Sequence, residues 1–194
     1  MNLKTIGTLI KKRWFSILFY SIIFLLIFSP AAKSWLLQQV VSTGLFNAEI
    51  KKDDTEKLSD AATFSFTDIN GKVATTAGLK SKVVFINFWA SWCPPCRAEM
   101  PSIENLYQKL KDNSNFVFLF INEDDDRNKG VNYLQKNNFT IPFYQASTDV
   151  PPEIFNGSLP TTVVLNKEGK VVLKHSGMGR YDTEDFIRQL KELE

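Results

Sequence analysis

Cys93 and Cys96 are the only cysteines in this 194-residue chain, and Pro94 and Pro95 separate them. A Cys-x-x-Cys pair that follows a buried strand and opens a helix suits thiol–disulfide exchange. One sulfur attacks a foreign disulfide, the second resolves the mixed disulfide, and an electron pair moves with them. The strand here is the apolar run from Val83 to Ala90, followed by Ser91 and Trp92. Cys93 is the expected nucleophile, because a helix N-terminus favours its thiolate. Cys96 falls on the same helical face three residues on, the resolving position. Pro94 and Pro95 suit the first helical turn, where a missing N–H costs nothing. They also deny the Cys93 thiolate two backbone donors, which makes the pair more reducing.

Two cysteines this close have other uses. A structural bond closing so short a loop contributes only roughly 2 kcal/mol by chain entropy. Zinc needs about four ligands, and the chain adds only one distant histidine, His175, which reads as a surface or sheet residue. The redox reading is therefore preferred, with the cysteine pair as the redox group and with no metal or separate cofactor expected.

Elements that position the pair are readable in outline. Thr63–Asp68 alternates apolar and polar residues, and Asn70-Gly71 marks a turn. Residues 82–88 and 116–121 read as buried strands, with a helix over 94–111 between them that Pro101 should kink. A second helix is expected over 126–136, with Asp124, Asp125 and Asp126 as a solvated acidic cap. A short strand at 143–146 follows. Residues 161–166 and 170–174 form a hairpin around Glu168-Gly169, and Asp182 or Thr183 caps a last helix. Gly177 and Gly179 read as turn positions. The order is β β α β α β β β α, an α/β domain with a central sheet covered by helices on both faces.

The leader is different. Residues 1–48 hold five cations and no acid, whereas the remainder is mildly acidic and the whole chain has a net charge of +2. So small a net charge suggests no nucleic-acid partner. Trp14 to Ala32 is a run of 19 uncharged residues, which as a helix reaches roughly 28 Å, enough to cross a bilayer's hydrocarbon core. Lys11-Lys12-Arg13 at its start places residues 1–13 in the cytoplasm and the rest outside. Ser29-Pro30-Ala31 also permits a cleaved signal peptide; either way the folded part lies where disulfides persist. The expected organisation is a basic N-terminus (1–13), a transmembrane anchor (14–32), a juxtamembrane segment and linker (33–60) and a redox domain (61–194).

Asn87-Phe88-Trp89-Ala90-Ser91-Trp92-Cys93-Pro94-Pro95-Cys96, with Leu159-Pro160-Thr161-Thr162 later, resembles the thioredoxin fold over residues 61–194. Within it the chain is similar to the TlpA/ResA-like membrane-anchored thiol–disulfide oxidoreductases. Ordinary thioredoxins carry a buried aspartate where this chain has Asn87; the TlpA/ResA-like group instead has a glutamate three residues after the second cysteine, here Glu99. The resemblance implies that Glu99 relays the Cys96 proton. It implies that Pro160 is a cis-proline against the disulfide, with the Leu159 backbone pairing with an extended substrate. Trp92 should offer substrate an apolar surface beside the pair, while Trp89 reads as core. The implied activity is reduction of disulfides in client proteins, cytochrome c maturation among the settings. A membrane thiol-reductant transporter is the implied electron donor, and the N-terminal helix is the contact with the bilayer.

Three rivals stay open. A disulfide-donating oxidase would have a much less negative reduction potential. A thiol peroxidase would need a peroxidatic cysteine activated by Thr and Arg, and here both cysteines belong to the pair. A non-catalytic membrane-tethered interaction module would tolerate Cys93→Ser.

Overall fold

The computed structural model describes residues 3–44, 46–50 and 63–194. Its elements are α1 (Leu3–Phe28), α2 (Pro30–Ser42), β1 (Ser65–Asp68), β2 (Val73–Thr75), β3 (Val83–Trp89), α3 (Pro94–Leu110), β4 (Phe116–Asn122), α4 (Arg127–Lys136), β5 (Tyr144–Ala146), β6 (Thr161–Leu165), β7 (Val171–Ser176) and α5 (Glu184–Lys191). The strands form one mixed sheet in the order β2-β1-β5-β4-β3-β6-β7. β3 lies between a parallel β4 and an antiparallel β6, and because both of its faces are also packed, all seven of its side chains are buried.

Alternation along β3 sorts those side chains onto two faces. Val83, Phe85 and Trp89 enter a cluster with Ile103, Leu106, Tyr181 and Phe186. Val84, Ile86 and Phe88 enter the other cluster with Phe64, Leu119, Ile154 and Val163. Phe85 meets Tyr181 edge-on at 5.4 Å between ring centroids, and Phe88 stacks on Phe155 at 4.3 Å. Asn87, the one polar residue of the strand, shares the face of Phe85 and therefore looks toward α3.

The large buried apolar side chains of α3 (Met100, Ile103, Leu106, Leu110), α4 (Leu134) and α5 (Phe186, Leu190) gather in the first cluster. Helical cover on both faces was expected; the second face is instead closed by the turn holding Ile154 and Phe155 and by Leu79 of a 3-10 turn. The connections β3–α3–β4 and β4–α4–β5 step the same way along the sheet, and right-handed crossovers in one direction put their helices on one side. α3 runs through Pro101 as one helix. The sequence missed β2, a three-residue strand with exposed ends.

Asp126 caps α4 as expected, accepting the Asn128 N–H at 3.0 Å. Asp124 does not belong to that solvated cap, because it is 3 % exposed. Thr183, rather than Asp182, caps α5, its hydroxyl accepting the Phe186 N–H.

The expected uninterrupted helix over 14–32 is broken. α1 ends at Phe28 and α2 starts at Pro30, with a bend of 86° between Trp14–Leu25 and Pro30–Val41. Pro30 lacks the N–H that would extend the α1 hydrogen-bond ladder, but it fits the first position of a new helix, and Ser29 caps that helix by accepting the Ala32 N–H at 3.3 Å. No single helix among the described residues is long and apolar enough to cross a membrane; the bent pair passes that test only together. The expected domain boundary at residue 61 lies outside the described residues. Residues 46–50 pack on the redox domain: Ala48 donates to the Arg180 carbonyl at 3.0 Å, and Arg180 donates to the Phe46 carbonyl at 2.7 Å.

Gly130 lies inside α4 where a Cβ would fall 2.7 Å from the Asn122 amide. Helix propensity alone gives Gly130→Ala a gain of about 1 kcal/mol; overpacking against Asn122 costs about 1–3 kcal/mol. The expected outcome is net destabilisation, read as a lower urea midpoint. A raised midpoint would show that α4 stands off Asn122.

Candidate active site

Cys93 is the N-cap of α3, and its Sγ accepts the Cys96 N–H at 3.3 Å. The two sulfurs form a disulfide with Cα atoms 5.3 Å apart. Pro94 and Pro95 occupy the first turn, as their lack of N–H groups allows. Cys93 keeps 3 % exposure and Cys96 none, so only Cys93 borders solvent. Trp92 beside it is 61 % exposed, while Trp89 is fully buried.

The loop that delivers Cys93 is latched from below. Asp124 accepts the Ser91 N–H at 3.0 Å, the Ser91 hydroxyl at 2.8 Å and the Asn122 side-chain amide at 2.8 Å. Glu123 donates its N–H to the Trp89 carbonyl at 2.8 Å. The end of β4 thus fixes the exit of β3.

Pro160 follows a cis peptide bond from Leu159 and is buried. Phe88 pairs with Thr161 in the β3–β6 register. Pro160 therefore stands at the strand end from which the chain leaves for Cys93. Its carbonyl accepts the Gly177 N–H at 2.8 Å, and Gly177 holds a φ of 105°. Leu159 is half-buried and packs against both clusters. His175 lies on β7 opposite Thr162, with its Nε2 3.1 Å from the Met178 carbonyl. Among the described residues no group of three or more His, Cys, Asp or Glu could hold a metal.

Glu99 is one turn beyond Cys96 on the same face of α3, and it is completely buried. Asn87 Nδ2 donates to one carboxyl oxygen at 2.8 Å and also to the Thr162 hydroxyl at 3.0 Å. The Gly179 N–H donates to the other oxygen at 3.0 Å. A Cβ on Gly179 would fall 2.5 Å from the Tyr181 ring, so only glycine brings that N–H in. Burial pushes the carboxyl up from 4.5 to about 8, and the two hydrogen bonds only partly oppose it. Burial likewise pushes the Tyr181 phenol up, and the charge of Glu99 adds to this. The helix glutamate is therefore not a solvated one. Asn87 was singled out in the sequence but not as a partner of Glu99, and Gly179 and Tyr181 were not anticipated in its setting, nor was the Asp124 latch beside the cysteines; the lone polar residue of an apolar strand was the available signal.

A Redoxin family model matches residues 56–186. The thiol-disulfide oxidoreductase ResA of Bacillus cereus is 31% identical over 179 residues, spanning 89% of this chain and 96% of that protein. This chain belongs to the ResA-like thiol–disulfide oxidoreductases of the thioredoxin superfamily. ResA of Bacillus subtilis is 33% identical over 142 residues, 72% of this chain and 79% of that one. Among solved structures, a thiol:disulfide interchange protein from Chlorobium tepidum matches with a TM-score of 0.58 and 26% identity, covering 70% of this chain and 96% of that one. This ResA-like chain is thus a thioredoxin-like protein-disulfide oxidoreductase, as its cysteine pair implied.

A carboxyl raised to about 8 in the folded protein and near 4.5 unfolded contributes its stability fully below pH 4.5. Between pH 4.5 and 8 the unfolded chain loses a proton that the folded one keeps, so this contribution falls, by on the order of 4–5 kcal/mol in all. Glu99→Gln cannot ionise; it keeps one acceptor oxygen, for the Gly179 N–H, and sets its NH₂ against Asn87, whose amide must turn over to receive it. Urea unfolding at pH 5 and pH 9 should show a wild-type loss that the variant lacks. Equal slopes in both proteins would rule out Glu99 as the titrating group.

Proposed function

We propose that this protein reduces disulfides of client proteins outside the cytoplasm, anchored to the membrane through α1. The observation that carries the reading is the Cys93–Cys96 disulfide opening α3 with the buried Glu99 one turn beyond it. In the dithiol form the Cys93 thiolate attacks a client disulfide; a Cys93–client bond forms, the client bond breaks, and the released client sulfur takes up a proton. Glu99, as carboxylate, accepts the Cys96 thiol proton. The Cys96 sulfur then attacks Cys93, the mixed disulfide breaks, and the second client sulfur leaves as a thiol. Two electrons pass to the client; the first client sulfur is protonated from solvent, which had taken the Cys93 proton, the second receives the Cys96 proton from Glu99, and the pair ends as the disulfide. The raised affinity of Glu99 for a proton supports this role, since a base of ordinary carboxylate strength would draw little from a thiol.

Trp92 would give the client an apolar surface, and the backbone of Leu159 before cis-Pro160 would pair with an extended client segment. A membrane thiol-reductant transporter would restore the dithiol, because the cytosolic pool cannot reach the site. Clients in cytochrome c maturation fit a ResA-like chain so placed.

Trapping tests the roles. With Cys96→Ser, reduced protein should accumulate a mixed disulfide with client that gel shift detects; with Cys93→Ser none should form. A trap through Cys96 instead would reverse the assignment. Direction is tested by the reduction potential of the Cys93–Cys96 pair. A value near about −270 mV, as in thioredoxin, supports a reductase, whereas one near about −120 mV makes this a disulfide donor. Pro95→Ala adds an N–H at the second helical position, where N-cap acceptors are served. It should stabilise the Cys93 thiolate and shift the potential to a less negative value. An unchanged potential would show that the prolines do not set it.

A further inference from the structure

From Trp14 onward α1 carries no charge, and large side chains along it are exposed: Trp14 and Phe15 are 70 % exposed, and Ile17 and Phe28 67 %. Trp14–Phe28 spans about 22 Å as a helix, most of a hydrocarbon core of about 30 Å. The chain then turns by 86°. A helix set at nearly a right angle to one that enters a bilayer runs along the membrane surface.

α2 has two unlike sides. Ser34 is 7 % exposed and Val41 3 %, and Gln38 with Val41 borders a groove shared with Ala98, Pro101 and Ser102 of α3. That side rests on the helix that carries the cysteines. Trp35, at the edge of that contact where it shares a groove with Arg97, Tyr133 and Phe139, remains 61 % exposed, and Leu36 on the side away from α3 is 48 % exposed, with Lys33 also exposed. Tryptophan and lysine are side chains of the headgroup layer. Beyond α2 the chain is fastened again: Phe46 and Ala48 bond with Arg180, and the Ile50 N–H donates to Gln189 Oε1 at 2.7 Å. Arg180 follows Gly179, the residue whose N–H holds Glu99.

We propose that α2 and residues 46–50 form a strap that seats the redox domain on a lipid surface, with Trp35 and Leu36 in the headgroup layer. The occupant of this apolar side is lipid because the side continues directly from α1 through the single residue Ser29. Cys93 is then presented at a fixed attitude to the membrane instead of swinging on a free tether. This rests on the membrane-anchor reading above and adds an orientation to it.

The test uses the full chain carrying 5-fluorotryptophan in lipid nanodiscs, with and without a nitroxide on the lipid headgroup. Trp14, Trp35 and Trp92 resonances are assigned by Trp→Phe substitution, and Trp89 by elimination. The expected result is that Trp14 and Trp35 broaden several-fold more than the buried Trp89. Broadening at Trp14 but not Trp35 overturns the strap and leaves the anchor standing. Broadening at neither overturns both. Trp35 shielded from a water-soluble paramagnet yet untouched by the lipid nitroxide means that protein covers it, which also overturns the proposal.

Discussion

The burial of β3 on both faces and both edges is the constraint on which the site depends. Seven successive side chains from Val83 to Trp89 are enclosed, and β4 and β6 take up the backbone groups on either side. A slip of one residue would move Phe85 and Asn87 to the opposite cluster. That would bury an amide among Leu119, Ile121 and Ile154 with nothing to pair with. The register is therefore fixed, and so is the point at which the chain leaves the sheet. From that point Ser91 is latched to Asp124, and Cys93 becomes the first cap of α3.

Two buried polar clusters bracket the cysteines, and they are built for different ends. Ser91, Asn122 and Asp124 satisfy one another within the loop and the end of β4. Gly130 lets α4 close over Asn122. This cluster holds position. Asn87, Glu99, Thr162 and Gly179 form the other cluster, between β3, α3 and β6. There the carboxyl is stripped of water and only partly compensated, so its hold on a proton is strengthened. One side of the disulfide is thus held in position, and on the other a carboxyl with a raised affinity for a proton stands one turn beyond Cys96.

The redox pair and the central strands were legible because each rests on local chemistry or on an apolar run, whereas the cis-proline was legible only through the family resemblance. The alternation around Asn87 was also visible, yet its partner was not. Gly179 is 80 residues from Glu99, and no periodicity connects a loop N–H to a helix carboxyl. Asp124 was misread because three successive acids resemble a solvated cap, and only the geometry of the Ser91 loop separates the first from the third. The bend at Ser29-Pro30 had its signal in the sequence, since Ser before Pro is a helix start. Hydropathy averaged over the run concealed it. The docking of α2 on α3 was not legible, because a helix with apolar residues on more than one side does not declare which side meets protein.

Asn87 has one further consequence. Ordinary thioredoxins, which this chain resembles, bury an aspartate at the position of Asn87; here the acid stands on α3 and the strand supplies an amide. Two facing carboxyls would share and compete for protons, and their titrations would belong to the pair. An amide has none to give. It offers an NH₂ to a carboxylate or, turned over, its oxygen to a carboxylic acid. In either orientation Asn87 can serve Glu99 without ionising. On this face of α3 the strand therefore adds no acid of its own, and Glu99 is the one carboxyl near Cys96, with the Tyr181 phenol held protonated by its burial.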